Sequence, residues 1–294
     1  MTAEYNSDPK SKQRKEKDMK IGTNTFGLGA AFRKNLNGAL ASLKESGITS
    51  VEPCILFPKG PAAAVAAFVV REMPVTGGII PSASGGEMIR RLRDWGFSVC
   101  SIHAMGFSWK SRNIRQVIRF CRDNDVRYAV VSPMEGSVAK IRRLLPQISA
   151  AAKEFRKNNV ELLIHNHAGE WQESEGTNVM ELLAENVPEL GFELDAGWTE
   201  FAGVSSVEAM RKFGDRIRLL HLKEIQKGEV DLKKPFCVAP GTGILPLADV
   251  LQAAAELDLD EDGILFDQDN SVNGDVLADL REGVKNVQAA APSL

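Results

Sequence analysis

From residue 19 onward, apolar and polar positions alternate between two periods, short β-type runs and longer runs of helical repeat. The β-type runs cover 20–25, 50–52, 98–103, 128–132, 160–167, 191–195, 217–222 and 263–267. Helical patterns over 36–45, 86–95, 114–124, 138–158, 179–186, 207–213, 246–257 and 275–289 predict a helix after each strand. Gly47 and Gly96 follow the first two helices, where a left-handed cap is expected. Asn113 and Ser206 stand where an N-cap would. Residues 1–18 are polar and without periodicity, which predicts a disordered extension and leaves 19–294 as one domain.

Strands that alternate with helices predict a parallel sheet covered by helices. Eight such units favour a closed (β/α)8 barrel, the TIM barrel of the α/β class, over an open doubly wound sheet. No GxGxxG follows the first strand, which counts against a dinucleotide-binding version of the open sheet. Residues 57–85 fit the alternation poorly. The alanine-rich 62–71 predicts an extra helix, and 75–84, rich in Gly, Pro and Ser, predicts a loop over the barrel mouth, either a surface insertion or a lid.

Composition narrows the partners. The 294 residues are 44% hydrophobic, ample for one large core, and the net charge is -3. The basic run at 10–17 lies in the tail, so no nucleic-acid partner is expected. No apolar run nears ~20 residues, so no membrane span is expected either. The polar start carries no apolar leader segment, and Cys54, Cys100, Cys121 and Cys237 form no CxxC pair. They read as free thiols in a reducing, cytoplasmic setting.

The four histidines, His103, His165, His167 and His221, each fall at or near the C-terminal end of a predicted strand. In a barrel those ends converge on one face, which holds the active site. Strand alternation puts Glu161, Leu163, His165 and His167 on one face, with Glu170 three residues further on. The same rule pairs Glu193 with Asp195, His221 with Lys223, and Asp267 with Asp269. Carboxylates and imidazoles gathered in this way suit a borderline divalent metal, which also relieves the repulsion between buried acids. A lone histidine is more often a satisfied core residue, and a lone Asp195 or Asp267 more often a loop cap; the set as a whole favours metal.

The segment LLIHNHAGEW (162–171) resembles the "YHNHxxEF" strand of the sugar phosphate isomerase/epimerase family, the xylose isomerase-like barrels. ELDAGWTEFAG (193–203) is similar to its "LDxGW…AG" strand, LLHLKEI (219–225) to "HxKD", and VAPGTGILPLADVL (238–251) to its "GxGxxdf" turn. VCSIHAMG (99–106) resembles its third-strand segment, so the likeness spans nearly everything after Met19. The resemblance implies one divalent ion, Mn²⁺ first, with Zn²⁺, Co²⁺ or Mg²⁺ as alternatives. Its implied ligands are Glu170, Asp195, His221 and Asp267. Two positions depart from the pattern: Asp267 stands where relatives carry Glu, and Glu224 where they carry Asp.

The resemblance further implies α-proton abstraction through an enediolate, with His167 as the base, Glu170 or His165 as alternatives, and Lys223 stabilising the oxyanion. Glu52, His103, His165, Trp171 and Trp198 are expected to bind a small carbohydrate, phosphorylated or not. Isomerase or epimerase action is the first expectation, and lyase action on a keto-inositol or 3-keto-glycoside the second. A non-catalytic metal- or sugar-binding barrel is the third. Many barrels of this kind form dimers or tetramers, though no segment here marks an interface.

Overall fold

The computed structural model describes residues 20–57, 78–133 and 137–290. The expected extension at 1–18 and the expected helix at 62–71 lie outside the described residues. The strands are β1 (Ile21–Asn24), β2 (Ser50–Glu52), β3 (Cys54–Leu56), β4 (Ile79–Pro81), β5 (Ser101–Met105), β6 (Tyr128–Val131), β7 (Glu161–His165), β8 (Gly191–Asp195), β9 (Ile217–Leu222) and β10 (Ile264–Phe266). The helices are α1 (Gly29–Glu45), α2 (Ser82–Asp94), α3 (Ser111–Asp123), α4 (Val138–Lys157), α5 (Val179–Asn186), α6 (Ala196–Phe201), α7 (Ser206–Phe213), α8 (Leu247–Glu256) and α9 (Val276–Ala290).

All strand pairs are parallel, in the order β2-β1-β10-β9-β8-β7-β6-β5-β3-β4. Because β2 and β3 are consecutive halves of one stretch of chain, this order closes on itself. Pro53, which has no N–H, divides them. Below it Thr23 and Val51 are in register; above it Cys54 pairs with His103. The result is an eight-stave barrel, with β4 added on the flank of β3 that β1 has left.

The helices cover the outside because each carries an apolar stripe. In α3, Ile114, Val117, Ile118 and Cys121 recur at three- and four-residue intervals and are buried. Each large aliphatic side chain so buried contributes about 1.5–3 kcal/mol. Gly47 (φ 92°) and Gly96 (φ 78°) take the left-handed cap positions expected of them.

Several local expectations need correction. The loop expected at 75–84 is ordered structure from Ile79: β4 pairs with β3, and Pro81, in an extended conformation, leads directly into α2. The N-cap of α3 is Lys110; Asn113 lies inside the helix, its Oδ1 accepting from the Ser108 N–H at 2.6 Å. The N-cap of α7 is Ser205, while Ser206 hydrogen-bonds Glu200. The expected helix at 36–45 is the second part of α1, which breaks at Asn35 (φ -163°, ψ 94°); the Asn35 Oδ1 there accepts from Gly38 N at 3.0 Å. The strand expected at 98–103 is shifted, to 101–105.

Inside the barrel the inward side chains form layers. Val130, Leu163, Leu219 and Leu265 make an apolar plug with Tyr128. Gly22 leaves room beside it, since a Cβ there would meet Leu265 at 2.5 Å. Alternation then places Glu52, His103, Glu193 and His221 higher up, and His165, Asp195, Lys223 and Asp267 at or just beyond the strand ends.

Candidate metal centre at the barrel mouth

Asp195 ends β8, His221 lies near the end of β9, Asp267 follows β10, and His165 ends β7. One ligand atom from each of these four lies within 4.8 Å of the others, and all four residues are buried. His165 Nε2 is 3.4 Å from Asp195 Oδ2 and 3.6 Å from Asp267 Oδ2, and His221 Nδ1 is 3.3 Å from Asp267 Oδ2. His165 Nε2, Asp195 Oδ2 and His221 Nδ1 have no hydrogen-bond partner. Buried polar atoms are normally bonded, so three converging orphans need an explanation. Around a four-coordinate ion with bonds of about 2.0–2.2 Å, ligand atoms stand roughly 3.3–3.6 Å apart. The donor set therefore fits a divalent ion.

The remaining atoms hold this arrangement in place. Asp195 Oδ1 accepts from Trp198 N at 2.8 Å, capping α6. The Asn166 amide spans the ends of β7 and β8: Oδ1 accepts from Asp195 N (3.0 Å), and Nδ2 donates to Asp195 O (3.1 Å) and Thr199 Oγ1 (3.2 Å). Ser132 Oγ lies between His103 Nε2 (3.1 Å) and His165 Nδ1 (3.3 Å). The fully buried Lys223 Nζ contacts Asp267 Oδ2 at 3.1 Å and Asp269 Oδ2 at 2.8 Å, and lies 5.4 Å from the Trp198 ring centroid.

Charges follow from these contacts. Burial works against ionising Asp267, but Lys223, His165 and His221 outweigh it and hold the carboxyl well below its ordinary range. Burial likewise opposes charge on His165, yet Asp195 and Asp267 raise it to about 9. Burial, reinforced by His165 and Lys223, pushes His167 down to about 3.

The structure separates the expected site residues into groups. Asp195, His221 and Asp267 come together, and the fourth member of their group is His165. Glu170 does not join them: it is buried in the turn after β7, and its Oε2 accepts from His167 N at 2.9 Å. His167 is the histidine that solvent reaches, its side chain 36% exposed against 10% or less for the other three. Its ring lies 5.1 Å from that of His165 and 5.8 Å from that of Trp198. Trp171 packs in the main core, 5.8 Å from Phe213. Glu52 and His103 lie deeper, with Glu52 accepting from Asn24 Nδ2 (2.9 Å) and Ser101 Oγ (2.7 Å). Glu224 points away from the ligand group; its oxygens accept from Gly241 N and Leu245 N, both at 2.8 Å. Asn166 and Ser132 were not singled out in the sequence. Asn166 lies on the opposite alternation phase from the histidines, and neither residue is a metal ligand by type.

A family model described as xylose isomerase-like TIM barrel matches residues 40–266. No curated protein matches the chain. Among solved structures, a sugar phosphate isomerase/epimerase from Parabacteroides distasonis ATCC 8503 superposes with TM-score 0.67 at 20% identity, covering 96% of each chain. A probable 3-DHS dehydratase involved in petrobactin synthesis, from Bacillus anthracis, gives TM-score 0.60 at 14% identity, covering 91% of this chain and 98% of its own. A xylose isomerase domain-containing protein from Salmonella typhimurium LT2 gives 0.61 at 12%, covering 92% and 96%. At these identities the likenesses are likenesses of fold. With the family model spanning most of the barrel, the chain belongs to the xylose isomerase-like TIM barrel family.

Proposed function

We propose that the barrel mouth binds one divalent ion and that the protein isomerises or epimerises a sugar or keto-sugar by moving a proton on a carbon next to a carbonyl. The observation carrying this reading is a gathering of buried, unbonded ligand atoms beside the histidine that solvent reaches. Two imidazoles and two carboxylates suit Mn²⁺, Co²⁺ or Zn²⁺ better than Mg²⁺, whose ligands are oxygens. Such an ion supplies Lewis acidity where negative charge develops on the substrate oxygen.

In this reading His165 takes the ligand place that resemblance gave to Glu170, and Glu170 positions His167 by accepting its backbone N–H. His167, held neutral at pH 7 by its partial burial and by the positive charges of His165 and Lys223, is the base. Lys223, charged and fixed by two aspartates, is the cation of this reading that steadies charge on substrate oxygens, and the buried Trp198 ring packs beside His167 and shapes the wall of the mouth. All four cysteines are free, which supports a reducing, cytoplasmic setting. Among the described residues no helix is long and apolar enough to cross a membrane.

The test is a panel of keto-sugars and polyols in D₂O with added Mn²⁺, run on wild type and His167→Asn. Wild type should place deuterium on one carbon of a substrate. The variant should lose roughly 10²–10⁴-fold of that rate and keep its metal. If wild type exchanges no proton on any panel member, the reading fails; if His167→Asn exchanges fully, His167 is not the base. A leaving group on the next carbon would turn the same first step into elimination, which product analysis in this assay detects.

A further inference from the structure

Beneath the mouth group lies a second gathering of ligand atoms. Glu52, His103 and Glu193 each offer one, all within 4.8 Å of one another, and all three residues are buried. His103 Nδ1 is 3.5 Å from Glu52 Oε1 and 3.8 Å from Glu193 Oε2. A fourth atom is aimed into this group from outside it. His221 Nε2, on a side chain with no exposure, is 3.2 Å from Glu193 Oε1 and 3.5 Å from Glu52 Oε1. Neither approach has hydrogen-bond alignment: both Glu193 oxygens, His103 Nδ1 and His221 Nε2 are without partners. A buried carboxylate with neither oxygen satisfied is costly to keep unless a cation or a proton lies beside it.

We propose that Glu52, Glu193 and His103, with His221 Nε2 facing them, form a second site for a borderline dication, separate from the site at the mouth. Two carboxylates balance its charge, and the imidazoles provide the nitrogen that selects Mn²⁺, Co²⁺ or Zn²⁺ over Mg²⁺. The apolar plug of Val130, Leu163, Leu219 and Leu265 lies on its other side. The ion therefore enters from the mouth, through the first site. His221 forms the wall between the two, presenting Nδ1 upward to Asp267 and Nε2 downward to Glu193. The rival occupant is a proton, carried on His221 Nε2 or shared by the two glutamates.

This inference builds on the proposed mouth site, and the experiment keeps the two apart. Full-length protein is saturated with Zn²⁺ or Co²⁺, gel-filtered, and its metal counted by elemental analysis. The variants are Glu193→Gln, Glu52→Gln and Asp195→Asn, each checked by circular dichroism for native helix content. Two ions in wild type, falling to one in either glutamine variant and to one in Asp195→Asn, is the expected result. One ion in wild type, retained by Glu193→Gln and lost by Asp195→Asn, overturns the second site and leaves the first standing. Two ions in both wild type and Glu193→Gln also overturn it. No ion in wild type removes both sites.

Discussion

Asp267 is engaged from three sides at the mouth. One oxygen, Oδ2, lies 3.1 Å from Lys223 Nζ, 3.3 Å from His221 Nδ1 and 3.6 Å from His165 Nε2. That oxygen already stands among the ligand atoms, so the side chain is not too short for its place. Asp267→Glu should therefore push the carboxylate past its position and weaken metal binding, roughly tenfold, in line with the cost of disturbing the groups around a metal. Calorimetry with Mn²⁺ on both forms checks this, and tighter binding in the variant would show that the aspartate falls short. His165 gives a pH prediction. In the ion-free protein its value is raised to about 9, so below that pH Nε2 competes for a proton as well as for metal. Affinity should rise with pH through about 9 as His165, and with it the likewise raised His221, give up their protons, with proton release seen as a buffer-dependent binding enthalpy. The sign for stability is opposite. A raised histidine supports the ion-free fold fully below its unfolded value of about 6.5, and that support is lost as pH climbs through about 9. Much of this site could be read from alternation alone, since Asp195, His221 and Asp267 share the inward phase of their strands. Glu170 could not be read so, because it lies past the strand in a turn whose capping bond consumes its carboxylate.

Among the described helices, α6 is the one that hydrophobic period did not reveal. Its six residues follow β8 without a break and begin at the Asp195 cap, too short to show a repeat. Pro53 hid the second half of its stave in the same way, by interrupting the β-type run after Glu52. What permits α6 to sit against β9 is Gly197, where an added Cβ would lie 2.0 Å from Lys223 O and 2.7 Å from Lys223 C. Those are backbone atoms and cannot swing aside. Gly197→Ala should cost about 1–3 kcal/mol, as overpacking does. It should also shift Lys223 away from Asp267 and Asp269. Denaturant unfolding measures the first effect, and an unchanged midpoint would mean the strand accommodates the methyl freely.

For the molecule as a whole, the alternation of strand and helix was enough to indicate a closed barrel, and eight staves close. The residue-level reason is that the staves of the barrel are buried on both faces, inward on their neighbours across the barrel and outward on a helix. The added strand β4 was not legible, because Ile79–Pro81 gains its pairing only from the flank of β3 that β1 vacates. A ligand group built from four staves ties distant parts of the chain together, so an ion should stabilise the entire fold. At a hundredfold excess over its dissociation constant the gain is about 2.7 kcal/mol. That corresponds to a rise in Tm of roughly 4–5 °C, reversed by chelator. A Tm indifferent to both would mean that no ion binds the folded barrel.

Glu224 links two of these scales. Its carboxylate reaches over the backbone to hold the amides of Gly241 and Leu245, while its neighbour Lys223 is fixed within the mouth. The connection from 225 to 246 is thus moored to the strand that bears His221 and cannot hinge on its own without breaking both bonds. On this side of the opening, then, discrimination between large and small substrates falls to which side chains stud a stationary rim. Diversification of this barrel toward new substrates should proceed there by replacing residues, not by changing how the chain swings.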